Sequence, residues 1–164
     1  MAKTTKLQLE AMVQRNWGIV DRVARMFGGR RQDTVADLRQ DIFYDLCRGY
    51  PTFRGDCDER TWVYRVALNR AISHIRRRRR EPLIVGLDEE ALNRVDDIYA
   101  DPLVDRLHHL ADHLADDDRA LLLLYLDGLS SAQMAAVSER SVSTVKNQLS
   151  AIRKKLKQLN ENEE

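Results

Sequence analysis

Apolar residues recur every three or four positions along most of this chain, which is the spacing of one side of an α-helix. The first such stripe is followed by Gly28 and Gly29, which predict the end of a helix. A second stripe follows Thr34, with Asp37 three residues later in the manner of a capping box. The two stripes consist of Leu9, Met12, Val13, Trp17, Val20, Val23, Ala24 and Phe27, and of Leu38, Ile42, Phe43, Leu46 and Cys47.

A long third helix is predicted from about Glu59 to Arg79, because Gly49 and Pro51 end the second helix and Pro82 stops the third. Its apolar side consists of Tyr64, Ala67, Leu68, Ala71, Ile72 and Ile75. Residues 81–100 show no sustained period and contain many acidic residues, so we expect a linker there.

The C-terminal part of the chain predicts four further helices. Asp101 and Pro102 are typical of a helix N-terminus. The stripe behind them consists of Leu103, Leu107, Leu110 and Leu114. The segment "DDDRALLLLYLDG" predicts a helix that ends near Gly128, and "SSAQMAAV" and "SVSTVKNQLSAIRKKLKQL" predict two more. We expect the tail "NENEE" to be frayed.

These patterns predict an all-α protein with two small helical domains, residues 1–80 and 101–164, joined by an acidic linker at 81–100. No apolar run is long enough to span a membrane, so we expect no membrane insertion. Cys47 and Cys57 do not form a CxxC pair, which favours a reduced, cytoplasmic protein.

Charge is distributed unevenly, although the net charge is only +1. Residues 1–80 carry 18 Lys and Arg against 9 Asp and Glu, whereas residues 81–118 carry 2 against 12. A basic N-terminal half indicates a polyanionic partner. The acidic segment is suited to shielding that basic surface or to contacting a basic partner, and ordinary surface charge is the alternative.

The third predicted helix has a mixed aromatic and basic side. On a helical wheel the side opposite Tyr64 holds Trp62, Arg65, Asn69, Ser73 and Arg76, and the helix ends in five arginines. Bases stack on aromatic rings, arginine binds phosphate and asparagine recognises a base edge, so this side suits single-stranded or partly opened nucleic acid. The alternative is that Trp62 packs under the preceding loop while the arginines form a solvated surface.

The last two predicted helices have the spacing of a helix-turn-helix. Ala135 and Val137 would pack against Val142, Val145 and Leu149, and Ser141 would cap the recognition helix. The outward-facing residues of that helix are Ser143, Thr144, Lys146, Asn147, Ser150 and Arg153. A plain helical hairpin is the alternative.

Both segments resemble a known family. "DLRQDIFYDLCRGYPTFRGDCDERTWVYRVALNRAISHIRRRRR" is similar to region two of bacterial sigma factors of the extracytoplasmic-function type. "LLLLYLDGLSSAQMAAVSERSVSTVKNQLSAIRKKL" is similar to their region four, and the resemblance extends from about Leu9 to Leu159. It implies a protein that binds core RNA polymerase and directs it to promoters.

The resemblance also implies roles for individual residues. The surface that meets the clamp helices of the largest polymerase subunit falls on Asp37, Gln40, Asp41 and Phe43. Recognition and melting of the minus-ten element fall on the Phe53–Asp58 loop and its helix, at Phe53, Arg54, Trp62, Arg65, Asn69, Arg70, Ser73, Arg76 and Arg77. Recognition of the minus-thirty-five element falls on Ser141, Ser143, Thr144, Lys146, Asn147, Ser150 and Arg153.

Further partners follow from the same resemblance. Region four would bind the flap of the second-largest polymerase subunit, and the acidic linker would thread near the polymerase active centre. An anti-sigma factor or another recruiting protein is a usual partner of such factors.

Two features, one residue and one turn, depart from the family pattern. Ser73 stands where an acidic residue is usual, which predicts a different base preference. The turn of the helix-turn-helix is Ser138-Glu139-Arg140, where the family pattern is apolar–Gly–apolar. It therefore lacks the glycine that adopts positive φ without strain, and it lacks two apolar residues that would contribute to the core. We therefore hypothesise weak or unusual minus-thirty-five recognition.

Other chemistry is weakly indicated. His109 and His113 share one side of a helix, but two ligands do not make a metal site. Cys47 belongs to an apolar stripe, and Cys57 lies in the proposed DNA loop, where its thiol could be sensitive to oxidation. No catalytic residue, metal or cofactor is predicted, and the chain is not expected to be an enzyme. The alternative functions are a stand-alone helix-turn-helix regulator and an adaptor that binds polymerase without directing initiation.

Overall fold

A computed structural model describes residues 4–29, 31–80 and 101–163, and within these ranges every regular element is helical. The chain divides into two units, Met1–Val95 and Asp96–Glu164. The first contains α1 (Lys6–Gly28), α2 (Gln32–Gly49), a 3₁₀ turn (Tyr50–Thr52) and α3 (Glu59–Arg80). The second contains α4 (Pro102–Asp112), α5 (Asp116–Leu126), α6 (Ser131–Ser138) and α7 (Val142–Asn162).

The predicted all-α fold class is confirmed for the described residues. The predicted linker, residues 81–100, lies outside them, so the proposed domain boundaries at 80 and 101 stay predictions. No helix in the described ranges combines the length and apolar character needed to cross a lipid bilayer.

The three helices of the N-terminal unit all pack on one another around a shared core. Its fully buried members include Met12, Val20, Val23, Leu38, Ile42, Leu46, Val63, Tyr64, Ala67 and Ala71. The predicted end of α1 is confirmed, because Gly29 has φ 65° and its N–H donates to the Arg25 carbonyl. At Gly28 a Cβ would lie 2.7 Å from Val35 Cγ2, so glycine allows α2 to approach closely.

Two predictions about these helices are wrong. Trp17 is 46% exposed instead of buried, because its ring stacks on Phe43 at the surface, with centroids 4.9 Å apart. Thr34 does not cap α2, which already begins at Gln32. The Thr34 side chain is buried, and its hydroxyl accepts a hydrogen bond from Arg78 Nη1 at 2.6 Å.

The start of α3 is fastened to α1 by Glu59. Its carboxylate accepts hydrogen bonds from Arg15 Nη2 at 2.9 Å, Arg15 Nε at 3.1 Å and Asn16 Nδ2 at 2.9 Å. Asn16 is itself buried and also donates to the Met12 carbonyl. The hydrogen bond from Arg15 lowers the pKa of Glu59, and the bond from Asn16 adds to this effect. Glu59 therefore fixes the point at which the preceding loop turns into α3.

The C-terminal unit has a small leucine-rich core built from Ala111, Leu114, Leu121, Leu123, Leu124, Leu129, Met134, Val137, Val145, Leu149 and Ile152. The predicted start of α4 is confirmed, since the Asp101 side chain accepts from the Leu103 N–H at 2.9 Å and Pro102 follows. Leu103, however, is 78% exposed, so its predicted place in the apolar stripe is wrong.

The tail is not frayed as predicted, because it packs on α4. Helix α7 continues to Asn162, and the Glu163 carboxylate pairs with Arg106 Nη1 at 2.6 Å and His109 Nε2 at 2.9 Å. Arg106 also donates to Asn160 Oδ1. These contacts explain why "NEN" stays helical.

We predict that Glu59→Gln lowers Tm at pH 7 by roughly 2–5 °C, because it removes a partly exposed ion pair that joins two helices. The hydrogen bond from Arg15 lowers the pKa of Glu59 in the folded chain, so the stabilisation is present above the unfolded pKa and is lost as the pH falls through the folded value. The Tm difference between the two proteins should therefore shrink as the pH falls below about 4.3, the ordinary pKa of glutamate.

Thermal denaturation followed by circular dichroism at several pH values measures this difference. Glu10→Gln is the control, because Glu10 forms only an exposed i,i+4 pair with Lys6. Equal and pH-independent effects of the two substitutions would contradict the proposed anchoring role of Glu59.

Candidate nucleic-acid and polymerase interfaces

Three aromatic rings form a cluster at the start of α3. Phe53 stacks on Trp62 with centroids 5.1 Å apart, and Tyr50 lies 6.5 Å from Phe53 and 6.1 Å from Trp62. Gly49 lies against the indole, where a Cβ would come within 3.1 Å of Cζ2. Trp62 therefore packs on the preceding turn and loop, as one alternative held, while remaining partly exposed beside the polar side of α3.

An open pocket of about 540 Å³ lies next to this aromatic cluster, between the end of α2 and the middle of α3. It is lined by Asp45, Arg48, Gly49, Thr52, Val66, Asn69, Arg70 and Ser73. Asn69 and Ser73, one helical turn apart, are exposed in it, as the sequence predicted. The α2 residues and Thr52 were missed; the i, i+3 spacing of Asp45 and Arg48 on one side of α2 was the available signal.

Arg70 enters this pocket already paired. Its Nε and Nη2 atoms each donate to Asp45 at 2.6 Å, and this contact raises the pKa of Arg70. A bidentate pair of this kind is directional and holds both side chains in one geometry. Arg70 therefore fixes the pocket wall, whereas Asn69 and Ser73 present their polar groups toward the opening.

The remaining residues of the predicted minus-ten set are spread over three places. Arg54 is exposed in the loop, and Arg65 Nη1 lies 3.7 Å from Cys57 Sγ beside it. Arg76 is exposed further along α3. Arg77 is separated from this group, because it faces a second pocket, between the N-terminal half of α2 and the end of α3.

The second pocket, of about 380 Å³, contains most of the predicted polymerase-binding residues. Its lining consists of Asp33, Thr34, Asp37, Gln40, Asp41, His74, Arg77 and Arg78. Phe43 lies elsewhere on α2, stacked on Trp17, and Tyr44 beside it is 62% exposed. The predicted set is thus divided between a charged pocket and Phe43, which forms a partly exposed aromatic pair with Trp17. The sequence pattern had placed both of these rings in apolar stripes.

In the C-terminal unit, α6 and α7 pack together with a short turn between them. The Ser141 hydroxyl accepts from the Thr144 N–H at 3.2 Å, which confirms the predicted cap of α7. Ala135, Val137, Val145 and Leu149 are buried as expected. Val142 is 40% exposed, so its predicted packing is wrong, because the first turn of α7 projects beyond the core.

The predicted outward-facing residues of α7 separate into two groups. Lys146, Ser150 and Arg153 line a groove with Tyr125, Leu129, Ser130, Ser131, Met134 and Leu149. Arg153 is held there, since its Nη2 donates to Tyr125 Oη at 3.1 Å and its guanidinium lies 5.1 Å from the ring centroid. Ser143, Thr144 and Asn147 are exposed outside this groove, and the Thr144 hydroxyl lies 2.7 Å from Ser141 Oγ.

The turn before α7 has left-handed backbone at a residue other than glycine. Glu139 has φ 55° and ψ 40°, and its N–H donates to the Ala135 carbonyl, as does that of Arg140. The prediction that this turn requires positive φ is confirmed. A side chain with a Cβ in this region costs about 1 kcal/mol.

The histidine pair on α4 has other contacts. His109 Nε2 lies 2.9 Å from Glu163, and His113 Nδ1 lies 2.9 Å from the His109 carbonyl. Within the described ranges, no three His, Cys, Asp or Glu side chains are grouped as metal ligands.

Comparison with known families gives two matches. The model described as "Sigma-70 region 2" matches residues 12–81, and "Sigma-70, region 4" matches residues 105–156. Together they cover most of the chain, including every residue discussed above as a candidate site.

Individual relatives agree with these matches. An ECF RNA polymerase sigma-E factor of Escherichia coli (strain K12) is 29% identical over 129 residues, which cover 70% of this chain and 68% of that protein. An RNA polymerase sigma-H factor of Pseudomonas aeruginosa is 31% identical over 127 residues, covering 69% and 66%.

Two solved structures share the fold. CnrH, solved in complex with the cytosolic domain of CnrY, has a TM-score of 0.71 at 22% identity, covering 98% of this chain and 92% of its own. RpoE of Bartonella quintana, solved with the anti-sigma factor NepR, has a TM-score of 0.69 at 18% identity, covering 93% and 96%.

We predict that Glu139→Gly stabilises the C-terminal unit by about 1 kcal/mol, because glycine adopts positive φ without the steric cost of a Cβ. Glu139→Ala removes the same carboxylate but keeps the Cβ, so it should not raise the free energy of unfolding. Chemical denaturation of the full chain measures both. An equal gain from the two substitutions would assign the effect to charge instead of backbone strain.

Proposed function

This chain belongs to the sigma-70 family as a factor of the extracytoplasmic-function type, and we propose that the pocket beside its aromatic cluster captures an unpaired base of the minus-ten element. Sigma factors are regulatory, non-catalytic proteins that act with RNA polymerase on promoter DNA, and this protein is one of them. The assignment of individual residues within that function is our proposal.

The observation that carries the proposal is the juxtaposition of Asn69 and Ser73 with the aromatic cluster on one side of α3. Unstacking a base from a duplex costs a few kcal/mol. Aromatic stacking contributes about 1–3 kcal/mol per base, so Phe53 and Trp62 can offset part of that cost. Asn69 and Ser73 supply the hydrogen-bonding groups that recognise the edge of the base.

The arginines around this pocket have different tasks in the proposal. Arg54, Arg65 and Arg76 bind phosphates along the displaced strand, which strengthens binding without sequence preference. Arg70 positions the pocket through Asp45. Arg77, which lines the second pocket together with Asp37 and Asp41, belongs with the polymerase contacts instead.

The polymerase-binding surface in this proposal lies on α1 and α2. Asp37, Gln40 and Asp41 offer polar contacts to the clamp helices of the largest subunit, and Trp17 with Phe43 offers an exposed apolar contact. Aromatic residues in the centre of an interface commonly contribute much of the binding energy. This polymerase-bound factor acts in the cytoplasm, where the chromosome is transcribed.

For the C-terminal unit we propose that α7 recognises the minus-thirty-five element, while the same unit contacts the flap of the second-largest subunit. Ser143, Thr144 and Asn147, with the cap Ser141, approach the base edges. In the groove shared with Tyr125, the side chains that face the DNA backbone are those of Lys146, Ser150 and Arg153. The strained turn supports our hypothesis that this recognition is weak or unusual.

A protein partner is also proposed. The fold neighbour RpoE was solved with the anti-sigma factor NepR, and CnrH with the cytosolic domain of CnrY. By analogy, an anti-sigma factor that competes with polymerase, or a recruiting protein that helps to place the factor, would bind this chain.

We predict that Trp62→Ala and Trp17→Ala separate DNA opening from polymerase binding. Trp62→Ala and Asn69→Ala should each reduce run-off transcripts at least about tenfold while leaving core affinity unchanged, because stacking and base recognition are lost. Trp17→Ala should instead weaken binding to core polymerase. Native gel shifts with core enzyme and transcription from a promoter library measure the two effects.

Each tryptophan variant serves as the other's control, since both remove one partly exposed indole from the same unit. Loss of core binding in Trp62→Ala, with normal binding in Trp17→Ala, would reverse our assignment of the two surfaces. Core binding by the wild-type chain without any transcript would indicate an adaptor.

We predict different effects for the two groups on α7. Arg153→Ala should weaken binding to all promoter duplexes alike and reduce the slope of log K against log salt by about one. Asn147→Ala should leave that slope unchanged and reduce discrimination between sequences. Fluorescence anisotropy with the polymerase-bound factor at several salt concentrations distinguishes them, and identical behaviour of both variants would refute the division.

A further inference from the structure

The turn between α6 and α7 is held by polar side chains, one of which, Arg140, stands where the family pattern has an apolar residue. Four polar residues join three elements: Asp117 and Asp118 in the first turn of α5, Arg140 in the turn, and Gln148 on α7. We call this group the polar clamp. The established activity assigns it no role, and none of its members belongs to the predicted DNA-contacting set.

The bonds of the polar clamp form a continuous chain. Arg140 Nη1 donates to Gln148 Oε1 at 2.6 Å, and Arg140 Nη2 donates to Asp117 Oδ2 at 3.3 Å. Gln148 Nε2 donates to Asp118 Oδ1 at 2.8 Å. The Gln148 amide thus lies between a guanidinium and a carboxylate, which fixes its orientation, because only one placement of its O and N satisfies both neighbours.

The backbone of the same turn is also tied down. The Arg140 N–H donates to the Ala135 carbonyl at 3.1 Å, and Ser141 caps α7 immediately afterwards. The recognition helix is therefore held by the turn that leads into its N-cap and again at Gln148, two turns after that cap. Two attachments on one side of a helix prevent it from rotating about its own axis.

Rotation matters because base recognition requires side chains within about 0.5 Å and 10–20° of their productive geometry. A rotation of about 15° moves a side chain about 6 Å from the helix axis by roughly 1.5 Å. Such a shift breaks hydrogen bonds to base edges, whereas long cationic side chains still reach phosphates. A loosened α7 therefore loses discrimination before it loses affinity.

We propose that Arg140 is a positioning residue for the recognition helix, acting through the polar clamp in place of the missing apolar contacts of the turn. This inference rests on the proposed minus-thirty-five role of α7. The Arg140 side chain is 38% exposed and that of Asp117 is 55% exposed, so salt screens this ion pair. Sequence discrimination by this factor accordingly decreases with salt more steeply than in a factor whose turn is apolar.

The test uses the full chain bound to core polymerase. Duplexes with a randomised segment upstream of the transcribed start are selected by binding and transcription, and affinity for the recovered sequence is compared with a scrambled one. Arg140→Met and Gln148→Met keep the aliphatic stems but remove the clamp bonds. Each substitution should reduce the affinity ratio at least about fivefold. The double variant should have a ratio no lower than that of the more affected single variant, because both substitutions break the same clamp.

Two controls separate positioning from folding and from charge. Glu139→Gly/Arg140→Met regains stability through the relaxed turn but still lacks the clamp, so it should keep the reduced ratio with a Tm at or above that of Arg140→Met. Lys155→Met removes one exposed charge from α7 outside the clamp and should leave the ratio unchanged.

Several outcomes overturn the inference. A ratio within twofold of wild type in Arg140→Met and Gln148→Met rules out a positioning role, as does full recovery of the ratio in Glu139→Gly/Arg140→Met. If the wild-type factor directs transcription but selects no preferred upstream sequence, α7 does not recognise bases. The inference then fails, while the sigma function stands. Absence of any factor-dependent transcript from the whole library would contradict the proposed function itself.

Discussion

The burial of one side of α3 between α1 and α2 is the constraint on which the region-two surface depends. Val63, Tyr64, Ala67 and Ala71 are fully enclosed, and burying a large apolar side chain contributes about 1.5–3 kcal/mol. A helix held in this way presents its opposite side at fixed intervals. Asn69 and Ser73 therefore lie one turn apart on the exposed side, and this arrangement is already in place before a ligand binds.

Polar contacts then fix how α3 is aligned within that packing. Glu59 fastens its first turn to Arg15 and Asn16, Arg70 fastens its middle to Asp45, and Arg78 reaches Thr34 near its end. Apolar packing alone tolerates small slides along the helix axis, whereas directional hydrogen bonds do not. The C-terminal unit follows the same strategy, with a small core supplemented by the polar clamp and by the pairing of Glu163 with α4.

Local features were predictable from the sequence, and features that depend on distant neighbours were not. Helix ends marked by Gly29, Asp101 and Ser141 follow from short-range hydrogen bonds, so their positions were predicted correctly.

Trp17, Leu103 and Val142 have the right spacing for a core, but the elements that would cover them lie elsewhere, which periodicity cannot reveal. The same limit applies to the candidate site. Asn69 and Ser73 were found from one helix, whereas the α2 wall of their pocket requires knowledge of how α2 and α3 pack.

The placement of the two tryptophans has a spectroscopic consequence. Trp17 and Trp62 are the only tryptophans in the sequence, and each indole is partly exposed and stacked on a phenylalanine. Trp17 lies on the proposed polymerase surface, and Trp62 lies beside the proposed base pocket. Indole emission responds to the polarity of its surroundings. Replacing either tryptophan with phenylalanine leaves a single indole beside five tyrosines, so emission excited selectively from that indole reports, in real time, on either the proposed polymerase surface or the proposed base pocket.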